Sequence, residues 1–71
     1  MFEPWMLAAI DEAGYNGISE DHIRRVAQRL LQFGEHEIDR SLFERACRDC
    51  GIAPSNFTQH DFDRLEDYLN R

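Results

Sequence analysis

The sequence predicts an all-α protein, with four short helices forming two packed helix–loop–helix hairpins in a single small domain. Three observations carry that prediction. Apolar residues recur at three- and four-residue spacing in four separate stretches, and no stretch shows sustained strand alternation. Ser19, Asp39 and Thr58 stand where a side-chain oxygen can accept a free helix N–H. Each is also bracketed by an apolar pair at hydrophobic-staple spacing: Ile18 with Ile23, Ile38 with Phe43, and Phe57 with Phe62.

The elements follow in order. Phe2, Trp5, Met6, Ala9, Ile10 and Ala13 share one face of a first helix near 3–13. Pro4 suits its first turn, where a missing N–H costs nothing, and Gly14 stops it. A second helix near 19–33 turns Ile23, Val26, Ala27 and Leu30 inward, and Gly34 ends it. Arg24, Arg25, Gln28, Arg29 and Gln32 fall on its other face. A third near 39–50 buries Leu42, Phe43, Ala46, Cys47 and Cys50, and Gly51 ends it. A fourth near 58–70 buries Phe62, Leu65 and Leu69, with Tyr68 on its flank. Leu7, Tyr15, Leu31 and Ile52 fall off these stripes or in loops, and are the exposed apolar candidates.

The two halves repeat. Gly14…Ile18-Ser19-Glu20-Asp21-His22-Ile23 parallels Gly51…Phe57-Thr58-Gln59-His60-Asp61-Phe62, and Val26 and Leu30 then match Leu65 and Leu69. This arrangement suggests two helix–loop–helix units packed face to face.

Length and composition bound the function. At 71 residues the core is small, and such chains often lean on a staple, a metal or a partner. A hydrophobic content of 42% is too high for a disordered chain. No apolar run approaches the ~20 residues of a membrane span. The start, Met-Phe-Glu-Pro-Trp, lacks the basic residues of a signal peptide, and two cysteines are too few for a secreted disulfide scaffold. A cytoplasmic protein with no membrane partner is expected. The net charge is −6, all eight basic residues are Arg, and the bases concentrate in residues 22–48 between two acidic ends.

Paired helix–loop–helix units in about 70 residues resemble an EF-hand pair. Gly17-Ile18-Ser19-Glu20-Asp21-His22-Ile23-Arg24-Arg25-Val26-Ala27 is similar to the loop end and exiting helix of such a hand, as is Phe57-Thr58-Gln59-His60-Asp61-Phe62. The ligand positions depart from the family. With Ile18 at the hydrophobic loop position, the first loop offers Asp11, Ala13, Tyr15 and His22, and the second Cys50, Ile52, Pro54 and Asp61. A calcium loop needs alternating oxygen ligands and a terminal Glu. The resemblance therefore implies a calcium-free relative that binds a partner helix.

Other chemistry has weaker support. Cys47-Arg48-Asp49-Cys50 lies at a helix end, where the dipole opposes the thiolate that redox activity requires. Core packing explains it better. A zinc-stabilised or metal-sensing mini-domain is the alternative, with Cys47, Cys50 and His60 as ligands and His36 or His22 completing the tetrahedron. No cofactor is otherwise expected. There is no Gly-rich phosphate loop, and Ser19 and Ser41 lie at helix starts, so catalysis is not expected. Residues 50–57 resemble the turn of a helix-turn-helix. The helix that follows carries Asp61, Asp63, Glu66 and Asp67 against Arg64 and Arg71, which opposes direct nucleic-acid binding.

The expected function is non-catalytic binding of another protein, or of a second copy as a homodimer, as a small acidic adaptor, regulator or inhibitor. The candidate surfaces are the basic face of Arg24, Arg25, Gln28 and Arg29 and the acidic faces of Asp11, Glu12, Asp63, Glu66 and Asp67, with Leu7, Tyr15 and Leu31 as apolar contacts. A further alternative is an acidic decoy that occupies the nucleic-acid-binding groove of a phage- or defence-type target.

Overall fold

Helix ends are fixed locally, by side chains and glycines that satisfy otherwise unpaired backbone groups. A computed structural model, which describes residues 2–14 and 17–71, forms α1 over Pro4–Ala13, α2 over Glu20–Gln32, α3 over Arg40–Asp49 and α4 over Gln59–Leu69. All three expected N-caps operate. The Ser19 hydroxyl accepts the His22 N–H at 3.3 Å, an Asp39 carboxylate oxygen accepts the Leu42 N–H at 3.1 Å, and the Thr58 hydroxyl accepts the Asp61 N–H at 3.3 Å. The described residues contain no strand.

The C-terminus of α3 shows why one expectation fails. Gly51 adopts φ +71°, a left-handed conformation that glycine enters without a Cβ penalty. The chain then folds back, so the Ile52 N–H donates to the Cys47 carbonyl at 2.8 Å and the Gly51 N–H to Arg48 at 3.1 Å. That closure carries Ile52 into the core, where it is buried rather than exposed. Pro54–Asn56 then forms a single 3-10 turn within the loop between α3 and α4. α2 ends the same way, with the Glu35 N–H donating to the Leu30 carbonyl at 3.1 Å.

The stripes pack as the periodicity requires. α2 lies against α4 and α3, and α1 against the Pro54–Asn56 turn, so these close approaches join one helix–loop–helix unit to the other. Four aromatic rings fill the centre. Phe43 is within 4.8 Å of Phe57, 5.4 Å of Phe62 and 5.4 Å of Trp5, ring centre to ring centre. Ile23, Val26, Leu30, Leu65 and Leu69 close around them, each at most 2% exposed.

Asp61 joins the two loops. Its side chain is buried, and Oδ2 accepts the Thr58 N–H at 2.9 Å and the Ile18 N–H at 3.3 Å. The first bond completes a reciprocal capping box at the start of α4, and the second crosses to the other unit. Asp61 therefore does not belong to the surface charge of α4.

Candidate functional site

The basic face of α2 is largely neutralised within the chain. Arg24 and Arg25 both reach the Asp21 carboxylate, at 2.7 and 3.1 Å. Arg29 pairs with Asp49 of α3 at 2.9 Å and donates to Gln32. Gln28 is exposed beside them. Arg40 pairs with Glu44, and Arg64 with both Asp67 and Glu20. Arg45 and Arg71 stack over Phe33 and Tyr68 instead.

The Glu20–Arg64 pair ties α2 to α4. A single Glu20 oxygen, Oε1, accepts from Arg64 Nη2 at 2.7 Å and from the Tyr68 hydroxyl at 2.7 Å. The Arg64 bonds, then the Tyr68 bond, hold the Glu20 carboxyl down at about 2. A carboxylate depressed in the folded state contributes stability above its unfolded value near 4.3 and loses it as pH falls toward the folded value. Between about pH 4.5 and pH 2 the melting temperature of the native chain should therefore fall more steeply than that of Glu20→Gln. Thermal unfolding across that range, followed by circular dichroism, measures the difference.

Much of the acidic charge has no such compensation. Among the described residues, Glu3, Asp11, Glu12, Glu35, Glu37, Asp63 and Glu66 form no salt bridge. Asp11, Glu12 and Asp63 are exposed on their helices, as is Asp67, which faces Arg64. The others gather where three elements meet. A cleft of about 280 Å³ lies between the start of α1, the α2–α3 loop and the end of α4, with Glu3, Glu37 and Glu66 on its walls and Met6, Ile38 and Leu69 beneath. His36 lies at its edge, with Nδ1 3.5 Å from the Leu69 carbonyl. A neighbouring depression shares Glu3, Glu37 and Ile38 and adds Trp5, Glu35 and Asp39. A third, wider one shares Trp5 and Arg40 with it and continues along Ala8, Ala9 and Glu12 to Pro54. The three adjoin as a trough around the start of α1. Trp5 is half-buried at its middle, packed edge-on to Phe62, and its indole N–H donates to Glu3 at 2.7 Å.

No family model matches the chain, and no curated protein or solved structure matches it significantly. The site therefore rests on its own geometry.

Of the expected site residues, Glu12 and Glu66 enter the trough, whereas Asp11, Asp63 and Asp67 do not line it. Glu3, Glu35, Glu37 and Trp5 were not singled out as one surface. The run Glu35-His36-Glu37-Ile38 after Gly34 was the available signal, since it sets acids on both sides of an apolar staple residue. Leu7 and Leu31 are exposed at 53% and 40%, and they lie outside the trough. Tyr15 lies outside the described residues.

The cysteines sit in the core. Cys47 is fully buried and Cys50 half-buried, both as free thiols. Burial pushes the Cys47 thiol up to about 12, with the Cys50 and Glu44 charges adding to the effect. Burial, then Asp49, also raises Cys50. Among the described residues no three His, Cys, Asp or Glu side chains group as metal ligands would, so the structure does not gather Cys47, Cys50 and His60 into a metal site. With both thiols protonated at neutral pH, a thiol-reactive disulfide reagent at pH 8 should label Cys50 slowly and Cys47 only as fast as the chain unfolds. Mass spectrometry of the time course, with and without denaturant, checks this.

No helix among the described residues is long and apolar enough to cross a membrane.

Proposed function

We propose that this chain is a non-catalytic protein-binding module, a small acidic adaptor, regulator or inhibitor, and that the trough around the start of α1 is its binding face. One observation carries the reading: carboxylates that have no cation partner among the described residues gather along a concave surface that also holds a half-buried tryptophan. Five of the eight arginines are paired with carboxylates outside the trough's acidic wall or at its rim, and the like charge left along the trough is a surface that a complementary partner relieves. A calcium-free EF-hand-like pair that grips a partner helix belongs to the same proposal. Asp61 is consistent with it, because its carboxylate is already occupied by two backbone N–H groups at the position where a calcium loop needs a ligand.

The acidic-decoy alternative is favoured by the exposed acids that lie outside the trough, Asp11 and Asp63. A decoy spreads its contact over the whole acidic surface, whereas a trough binder does not.

Capture of partners by the tagged chain at low and high salt tests both. The trough reading expects one stoichiometric partner that is lost with Glu37→Lys/Glu66→Lys and retained with Asp11→Lys/Asp63→Lys, which changes net charge equally. Loss in both variants, together with competition by nucleic acid, assigns the decoy. Retention in both overturns the two readings.

A further inference from the structure

The trough has a chemistry that restricts its occupant. Glu3, Glu37 and Glu66 present negative charge, and among the described residues the one arginine on its walls, Arg40, is already paired with Glu44 at 3.1 Å, with His36 at the edge. Between the acids lie apolar surfaces: Trp5 and Ile38, both half-buried, and the exposed Ala8. At about 280 Å³ the narrow end is slightly below the ~300–1,000 Å³ of pockets that enclose small ligands. It has room for a side chain, and the trough has the length for several. The acidic walls and the net charge of −6 oppose polyanions here, nucleic acid and anionic membrane surfaces among them. They also oppose a second copy of the chain, whose like charge would have to approach this same acidic wall.

We infer that the trough binds a cationic amphipathic polypeptide segment of a partner protein, with apolar side chains against Trp5, Ile38 and Ala8 and Arg or Lys side chains against Glu3, Glu37 and Glu66. The inference rests on the partner-binding reading and names the chemistry of that partner. The two components act differently. Exposed carboxylates attract the cation over a Debye length of about 8 Å at physiological salt, which steers encounter. The apolar contacts hold the segment once it is seated.

Trp5 is the only tryptophan in the chain and lies inside the site, so its fluorescence reports occupancy directly. The probes are three synthetic peptides without aromatic residues: an amphipathic 14-residue Leu–Arg helix, its Leu–Glu counterpart, and an oligo-arginine of equal charge. The Leu–Arg peptide should shift Trp5 emission to the blue, saturably. Its affinity should fall at least tenfold between 50 and 300 mM salt and at least fivefold in Glu37→Gln/Glu66→Gln, with helical content unchanged. The Leu–Glu peptide should give no shift. Oligo-arginine should bind at least tenfold more weakly than the Leu–Arg peptide. No saturable shift, equal binding of oligo-arginine, or unchanged affinity in the double variant overturns the inference. If the tagged chain still captures a partner through Glu37 and Glu66 while the Leu–Arg peptide fails, the binding module stands and this assignment of its occupant falls.

Discussion

Replacing Phe43 with Ala is expected to cost about 3–5 kcal/mol, a large share of the stability of so short a chain. Phe43 is fully buried and touches the rings of Trp5, Phe57 and Phe62, so it links α1, α3, α4 and the approach to α4 at one point. Truncation removes the transfer energy of a whole ring and leaves a cavity that four short helices cannot close without losing their other contacts. A chain of 71 residues has a total stability of roughly 4–11 kcal/mol. The loss is therefore between about a quarter of the whole and all of it. Phe43→Leu keeps most of the volume and should cost about 1–1.5 kcal/mol. Urea unfolding of the three proteins, read by circular dichroism and by Trp5 emission, gives the ranking. A loss below about 2 kcal/mol for Phe43→Ala would mean that the aromatic centre does not hold the helices together.

The core was legible in the sequence because it is written in short-range pattern. Ser19, Asp39 and Thr58 act within three residues of their own position, and the stripes that bury Phe43, Leu65 and Leu69 repeat every turn. Each helix consequently begins and ends within one residue of the expected bounds. Ile52 was missed because its burial depends on the backbone reversing at Gly51, which no stripe records. The site was harder to read for a related reason. Glu3, Glu37 and Glu66 are far apart in sequence and meet only when α1 and the α2–α3 loop settle against the end of α4. The basic face shows the same limit. Its spacing on α2 was legible, but the Asp49 that neutralises Arg29 comes from α3, and the Glu20 that holds Arg64 comes from the other half of the chain. Charge in sequence shows how much there is, and the fold decides which of it remains unpaired.

Asp61→Ala should be the most destabilising change at any charged residue, at about 1–4 kcal/mol. The carboxylate caps α4 through the Thr58 N–H and reaches the Ile18 N–H of the other loop, and both bonds go to one buried oxygen. Losing a cap costs about 0.5–2 kcal/mol. Orphaning a part-buried N–H that was bonded to a charged group costs about as much again. Asp61→Asn retains an acceptor oxygen and should lose about half as much. Gly17 supplies an independent check, because a Cβ there would come within 3.2 Å of Asp61 Oδ2. Two N–H groups fix that oxygen, so it cannot move aside freely, and Gly17→Ala should destabilise by about 1–2 kcal/mol as other overpacked sites do. With the carboxylate gone the clash goes too, and Gly17→Ala should be close to neutral in the Asp61→Ala background. A double-mutant cycle by urea unfolding therefore predicts a coupling of about 1 kcal/mol or more between residues 44 positions apart in sequence. Additive effects would mean that Asp61 only caps its own helix, and that its bond across to the Ile18 N–H adds nothing to the joining of the two helix–loop–helix units.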